Sequence, residues 1–288
     1  MKYATSCSCK PLYAILSDRT STEIKMKQNQ TLKIILLIFL SFATYYLLFL
    51  NFKIIKIELD KITQQGLLSY VLTYFIVGVP IFIGTFLINK LPNIFKSLGL
   101  LSNYLTAIWT SLFFTLPMFI GGLFFFKFNQ QIDIENLIAG TIVAGFMEEL
   151  YFRGFLFGQL FRKTNLGFIP SIFFGALIFA FGHLYQSQDL SELVGIFMVT
   201  FSGAIFFAWL YVEWNYNLWV PILTHTLMNL SWNLFQVDNS ALGDMKANIF
   251  RALTILTAIL FTIIYKRNRN EKLTINRQTL MLNKKNGI

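Results

Sequence analysis

The chain has 288 residues, of which 55% are hydrophobic, 17% aromatic and only 13% charged, with a mean hydropathy of +0.58. Those values exclude an ordinary soluble domain. The formal net charge of +10 does not read as a nucleic-acid surface, because most Lys and Arg fall at the two ends and in a few short loops, as topology signals do.

Residues 1–30 are polar, mildly basic and without periodicity, which predicts a cytoplasmic N-terminal tail. They do not form a signal peptide, since the long apolar run begins only after Leu32 and no small-residue cleavage site follows it. Met26 stands just before that run and reads as an alternative start. Cys7 and Cys9 are the only cysteines, and nothing near them completes a disulfide framework or a zinc site.

Eight apolar runs follow, at about 32–52, 66–89, 104–126, 136–161, 166–186, 190–212, 217–236 and 248–265. About 20 apolar residues cross a bilayer, so the predicted class is all-α, a polytopic membrane helix bundle with about eight transmembrane helices. The predicted parts are the tail (1–30), three N-terminal transmembrane helices (31–135), a core segment (136–236), and the last helix with a basic C-terminal tail (237–288). Pro80 and Pro117 fall inside the second and third runs, where they should kink the helix. Gly154 and Gly158 make a small-residue face on the fourth, suited to close helix approach. With the N-terminus inside, cytoplasmic segments hold seventeen Lys and Arg against six outside, so both termini are predicted cytoplasmic in a multi-pass cell-membrane protein. The basic tail from Lys266 reads as a topology and anionic-lipid anchor.

The fourth run carries Glu148, Glu149 and Arg153. A charged side chain near the bilayer centre costs roughly 2.5–3.5 kcal/mol on insertion scales, and packing alone gives no reason to carry three. Glu149 and Arg153 stand at i,i+4, the spacing of a helical ion pair. Glu148 is turned about 100° away, which leaves it free for chemistry. Both histidines of the chain, His183 and His225, also fall within predicted spans, and His225 shares a helix face with Asn229. No membrane Ser lies in a Gly-x-Ser-x-Gly context and no Cys lies outside the tail, so a covalent nucleophile has little support. A carboxylate and a neutral imidazole can together deprotonate a water. A second imidazole and a carboxamide can donate hydrogen bonds to an oxyanion. This is equipment for hydrolysing an amide bond.

Glu-Glu-x-x-x-Arg at 148–153, Phe-x-x-x-His at 179–183 and His-x-x-x-Asn at 225–229 together resemble the intramembrane CAAX-protease and bacteriocin-processing proteins, also called Abi proteins, relatives of eukaryotic prenyl-protein endopeptidases. The resemblance covers about residues 136–236. It implies that Glu148 activates water with His183, that His225 and Asn229 form the oxyanion site, and that Glu149 and Arg153 support them. It implies a membrane-associated peptide or protein substrate, no cofactor and no nucleic-acid partner, with the lipid bilayer as the surroundings. Two alternatives stay open: a zinc-dependent protease with Glu148, His183 and His225 as ligands, and a non-enzymatic bacteriocin self-immunity protein. A proton-coupled transporter is disfavoured, since no paired halves with broken helices are visible.

Overall fold

The computed structural model describes residues 12–89 and 91–283. Among them the chain is helical, with no β-strand. In chain order the helices are α1 (Leu12–Phe49), α2 (Phe52–Thr63), α3 (Gly66–Asn89), α4 (Ile94–Leu98), α5 (Tyr104–Phe125), α6 (residues 134–163), α7 (Phe168–Phe181), α8 (Leu190–Glu213), α9 (Trp219–Leu234) and α10 (Met245–Asn268). A single 3-10 turn, Leu184–Gln186, links α7 to α8. Between residues 12 and 49 no Gly or Pro interrupts the chain, and α1 accordingly runs from Leu12, inside the stretch read as a polar tail. Cys7 and Cys9 lie outside the described residues.

Six of the described helices are long and apolar enough to cross a membrane, within residues 28–49, 66–89, 104–125, 168–186, 190–213 and 245–268. Two of the eight expected runs fall short of that test. The first is α6, which carries the three charges. It alternates α turns (Ile134–Ile138, Ala144–Glu148, Gly158–Lys163) with π turns (Ala139–Val143, Glu149–Phe157). The second is α9, which has only 16 residues. These two are buried at the centre of the bundle and hold most of the residues singled out above.

Pro80 and Pro117 lie inside α3 and α5, and both helices continue past them. The small-residue face of α6 does permit close approach: a Cβ on Gly154 would stand 3.0 Å from Leu218, and one on Gly158 would stand 3.1 Å from Tyr211 of α8. The helices α6, α8 and α10 each start on an aspartate, Asp133, Asp189 and Asp244, whose carboxylate accepts first-turn amides. At Asp189 the Ser191 hydroxyl and then the Glu192 amide hold the carboxyl below its ordinary range.

The main core joins α1, α3, α6, α7 and α8 around Tyr151, Phe155, Leu156 and Phe157. A second cluster joins α5, α8, α9 and α10 around Phe114 and Leu210. The two ends of the bundle are distinct. At one end the linkers meet: the Asn129 amide donates to Leu234, and the Ala241 amide donates to the Gln186 side chain. The other end is closed by the chain after α10. The Met281, Thr279 and Leu280 carbonyls accept from the Gly167, Phe168 and Ile169 amides, which are the otherwise unpaired donors at the start of α7. Asn283 binds back to Asn165 and Phe161. The described part of the basic tail thus forms a clasp packed on the bundle.

Candidate active site

The site forms where α6 meets α9. Its charged half lies at the start of the π stretch Glu149–Phe157, in which amides reach one residue farther back than in an α-helix; such widened turns recur at functional sites. Glu149 and Arg153 are both fully buried and still in contact, with Nη1 3.2 Å from Oε1. The same Oε1 lies 2.8 Å from His225 Nδ1. An ionised carboxylate only accepts, so Nδ1 carries the proton and donates. On the far side of that ring, Nε2 stands 3.9 Å from Glu148 Oε2, beyond hydrogen-bond range. The two adjacent carboxylates thus address opposite nitrogens of one imidazole. They differ in access: the Glu148 side chain keeps 23% exposure and Glu149 none.

Aromatic rings hold the rest in place. The His225 ring stacks on Phe207 of α8, with centroids 4.9 Å apart and 17° between planes. The Arg153 guanidinium lies over Phe179 of α7 at 4.5 Å and over Phe207 at 5.5 Å, a cation–π arrangement that stabilises a desolvated cation. Phe179 in turn contacts the His183 ring at 4.5 Å. His183 follows the end of α7 and its Nδ1 lies 2.7 Å from the Phe179 carbonyl. Because a carbonyl only accepts, Nδ1 is the protonated nitrogen, and Nε2 is the basic one in the neutral ring. Asn229, one turn beyond His225, donates from Nδ2 to the Gly140 carbonyl at 3.3 Å.

The structure therefore joins Glu148, Glu149, Arg153 and His225 by direct approach. It sets His183 one ring away from Arg153 and fixes Asn229 against the start of α6. Among the described residues no three His, Cys, Asp or Glu form a group able to hold a metal ion, so Glu148, His183 and His225 do not fit a zinc site in this arrangement.

The reading of the sequence missed the tyrosines. Tyr45 of α1 and Tyr74 of α3 pack their rings on Tyr151 of α6, with centroids 5.0 and 6.4 Å away, and Tyr70 packs on Tyr74 at 5.1 Å. The Tyr151 hydroxyl donates to the Tyr74 carbonyl at 2.8 Å. Gly78 lets α3 come this close, since a Cβ there would overlap the Tyr151 hydroxyl. The only available signal was the i,i+4 spacing of Tyr70 and Tyr74, which is indistinguishable from ordinary packing in an aromatic-rich chain.

This combination, a multi-pass helix bundle with a carboxylate–imidazole site inside it, agrees with the comparisons to known proteins. Residues 130–231 match the family model described as type II CAAX prenyl endopeptidase Rce1-like, a stretch that contains all three motifs. A Bacillus subtilis (strain 168) protein named "Putative membrane peptidase YdiL" is 32% identical over 105 residues. That alignment covers 35% of this chain and 37% of the relative. No solved structure gives a significant match.

Proposed function

We propose that the protein is an intramembrane endopeptidase that hydrolyses a peptide bond of a membrane-associated peptide or protein with an activated water. The observation that carries this reading is the pair of adjacent carboxylates on opposite nitrogens of His225, one sealed and one accessible. Packing alone needs no such division, whereas hydrolysis needs a base that a water can reach. The family and relative matched over residues 130–231 and over 105 residues lend the same class of activity.

Glu148, half-buried at the site, is the general base that takes a proton from water, and His183 Nε2 assists it. Glu149 and Arg153 fix the His225 ring through Nδ1. For His225 to donate to the developing oxyanion, Nε2 must also be protonated, and Glu149 on Nδ1 is the partner that stabilises this imidazolium. The Asn229 carboxamide is the second donor, once it leaves the Gly140 carbonyl. The collapse of the tetrahedral intermediate breaks the C–N bond, and the proton held by Glu148 passes to the leaving amine.

The test is cleavage of a quenched peptide library by purified protein in liposomes, comparing wild type, Glu148→Gln and wild type with chelator. Activity that disappears in Glu148→Gln and persists with chelator is the expected outcome. Activity removed by chelator and restored by zinc would overturn the water-activating role of Glu148, and full activity in Glu148→Gln would do the same.

A further inference from the structure

Glu148 and His225 lie about midway along α6 and α9, and the groups around them gather toward one end of the bundle. Tyr70 and Tyr74 lie in the first turns of α3, Gly140 near the start of α6, His183 just beyond the end of α7, and Asn229 near the end of α9. The linkers around these positions are 50–65, 126–133, 182–189 and 235–244; the Asn129 amide bonds to Leu234 just before the last of them, and Ala241 bonds to Gln186. The Arg162 guanidinium donates to the Ser97 carbonyl, the Leu218 amide to Gly99, and the Asn217 side chain to Asn103. These contacts gather the remaining linkers and the C-terminal clasp at the opposite end.

Charge separates the two ends. The site end holds Lys53, Lys56, Lys61, Lys127, Lys246 and Arg251, together with Glu58, Asp60, Asp133, Glu135, Asp189, Glu192, Asp238 and Asp244. Three of these cations are already engaged locally: Lys56 with Asp60 at 2.7 Å, Lys61 with Glu58 at 2.6 Å, and Arg251 with the Ala241 carbonyl at 2.8 Å. Among the described residues, the clasp end carries Lys96, Arg162, Lys163, Lys266, Arg267, Arg269, Lys272 and Arg277. Lys and Arg flanking membrane helices are retained in the cytoplasm.

We propose that the clasp end is cytoplasmic and that the active site opens in the opposite, non-cytoplasmic half of the membrane. Its substrate is then an exported peptide, or a membrane-associated segment exposed at the outer surface; a cytosolic lipidated tail would meet the clasp end, away from Glu148. The substrate class rests on the endopeptidase reading above, and the orientation does not.

The test is thiol accessibility in intact cells. In a chain with Cys7 and Cys9 replaced by Ser, a single cysteine is placed at exposed positions by Gln188→Cys at the site end or Lys272→Cys at the clasp end. A membrane-impermeant maleimide should label Gln188→Cys in intact cells, and Lys272→Cys only after lysis, with equal accumulation checked by immunoblot. The reverse pattern, labelling of both in intact cells, or labelling of neither would overturn the proposal. This readout does not depend on catalysis, so loss of the endopeptidase reading leaves the assigned orientation standing, and an inverted labelling pattern leaves the chemistry of Glu148 untouched.

Discussion

Two buried acid–base pairs, one in the site and one under the clasp, are finished differently. At the clasp end, Glu213 of α8 accepts from Lys266 at 2.5 Å and from the Thr274 and Ile275 amides at 3.0 and 2.8 Å. Both of its oxygens are used. In the site, Glu149 shares one oxygen between Arg153 and His225, while its Oε2 and all three guanidinium nitrogens have no aligned hydrogen-bond partner among the described residues. A buried charge that is fully bonded fixes a structure; one left with spare bonding capacity costs stability and is kept for another reason. Between the two pairs, the clasp pair reads as architecture and the site pair as equipment.

Substitutions can break or sharpen that contrast. The largest effect is expected at Glu148→Gln, which should lower the cleavage rate about 10²–10⁴-fold with unchanged thermal unfolding in detergent, measured on the same preparation. Next, Lys266→Ala leaves Glu213 buried without its cation and should cost about 3–5 kcal/mol of stability. Its melting temperature should fall, while the rate per folded molecule at low temperature stays that of wild type. A loss of rate without a loss of melting temperature would erase the distinction between the two pairs. Gly78→Ala forces α3 from Tyr151 and should cost about 1–3 kcal/mol, read by thermal unfolding together with a reduced rate, because α3 shifts against the helix that carries Glu148. Smallest of all is Gly140→Ala. Nothing lies within 4 Å of the added methyl, so its melting temperature should match wild type within the effect of about 0.5 kcal/mol usual for a free surface position.

The fold class and the charged residues of the candidate site were legible because a bilayer so strongly penalises charges without partners. Glu148, Glu149, Arg153, His183 and His225 stand out in an apolar background for that reason alone. The pairing of Glu149 with Arg153 followed from spacing. What spacing could not give was the third partner: His225 lies 76 positions from Glu149, and only the crossing of α6 and α9 brings its Nδ1 to that carboxylate. The π turns were equally hidden, since φ and ψ in α6 stay in the ordinary helical region and no proline or glycine run marks them. The number of spans was less legible than their class. The apolar runs of α6 and α9 look like the others, but the charges of one and the brevity of the other set them apart as the interior pair. The clasp itself was hidden because backbone carbonyls, silent in any composition count, do the binding.

The clasp also has a consequence for how the protein is made. The amides at the start of α7 are satisfied by carbonyls more than a hundred positions later, Phe168 by Thr279 among them. At a synthesis rate of about 5–20 residues per second, that helix waits roughly 5–20 s for its cap while α8, α9 and α10 are still being threaded into the bilayer. Over that interval the growing chain presents an open helix end at its surface, and a segment made only after α10 closes it.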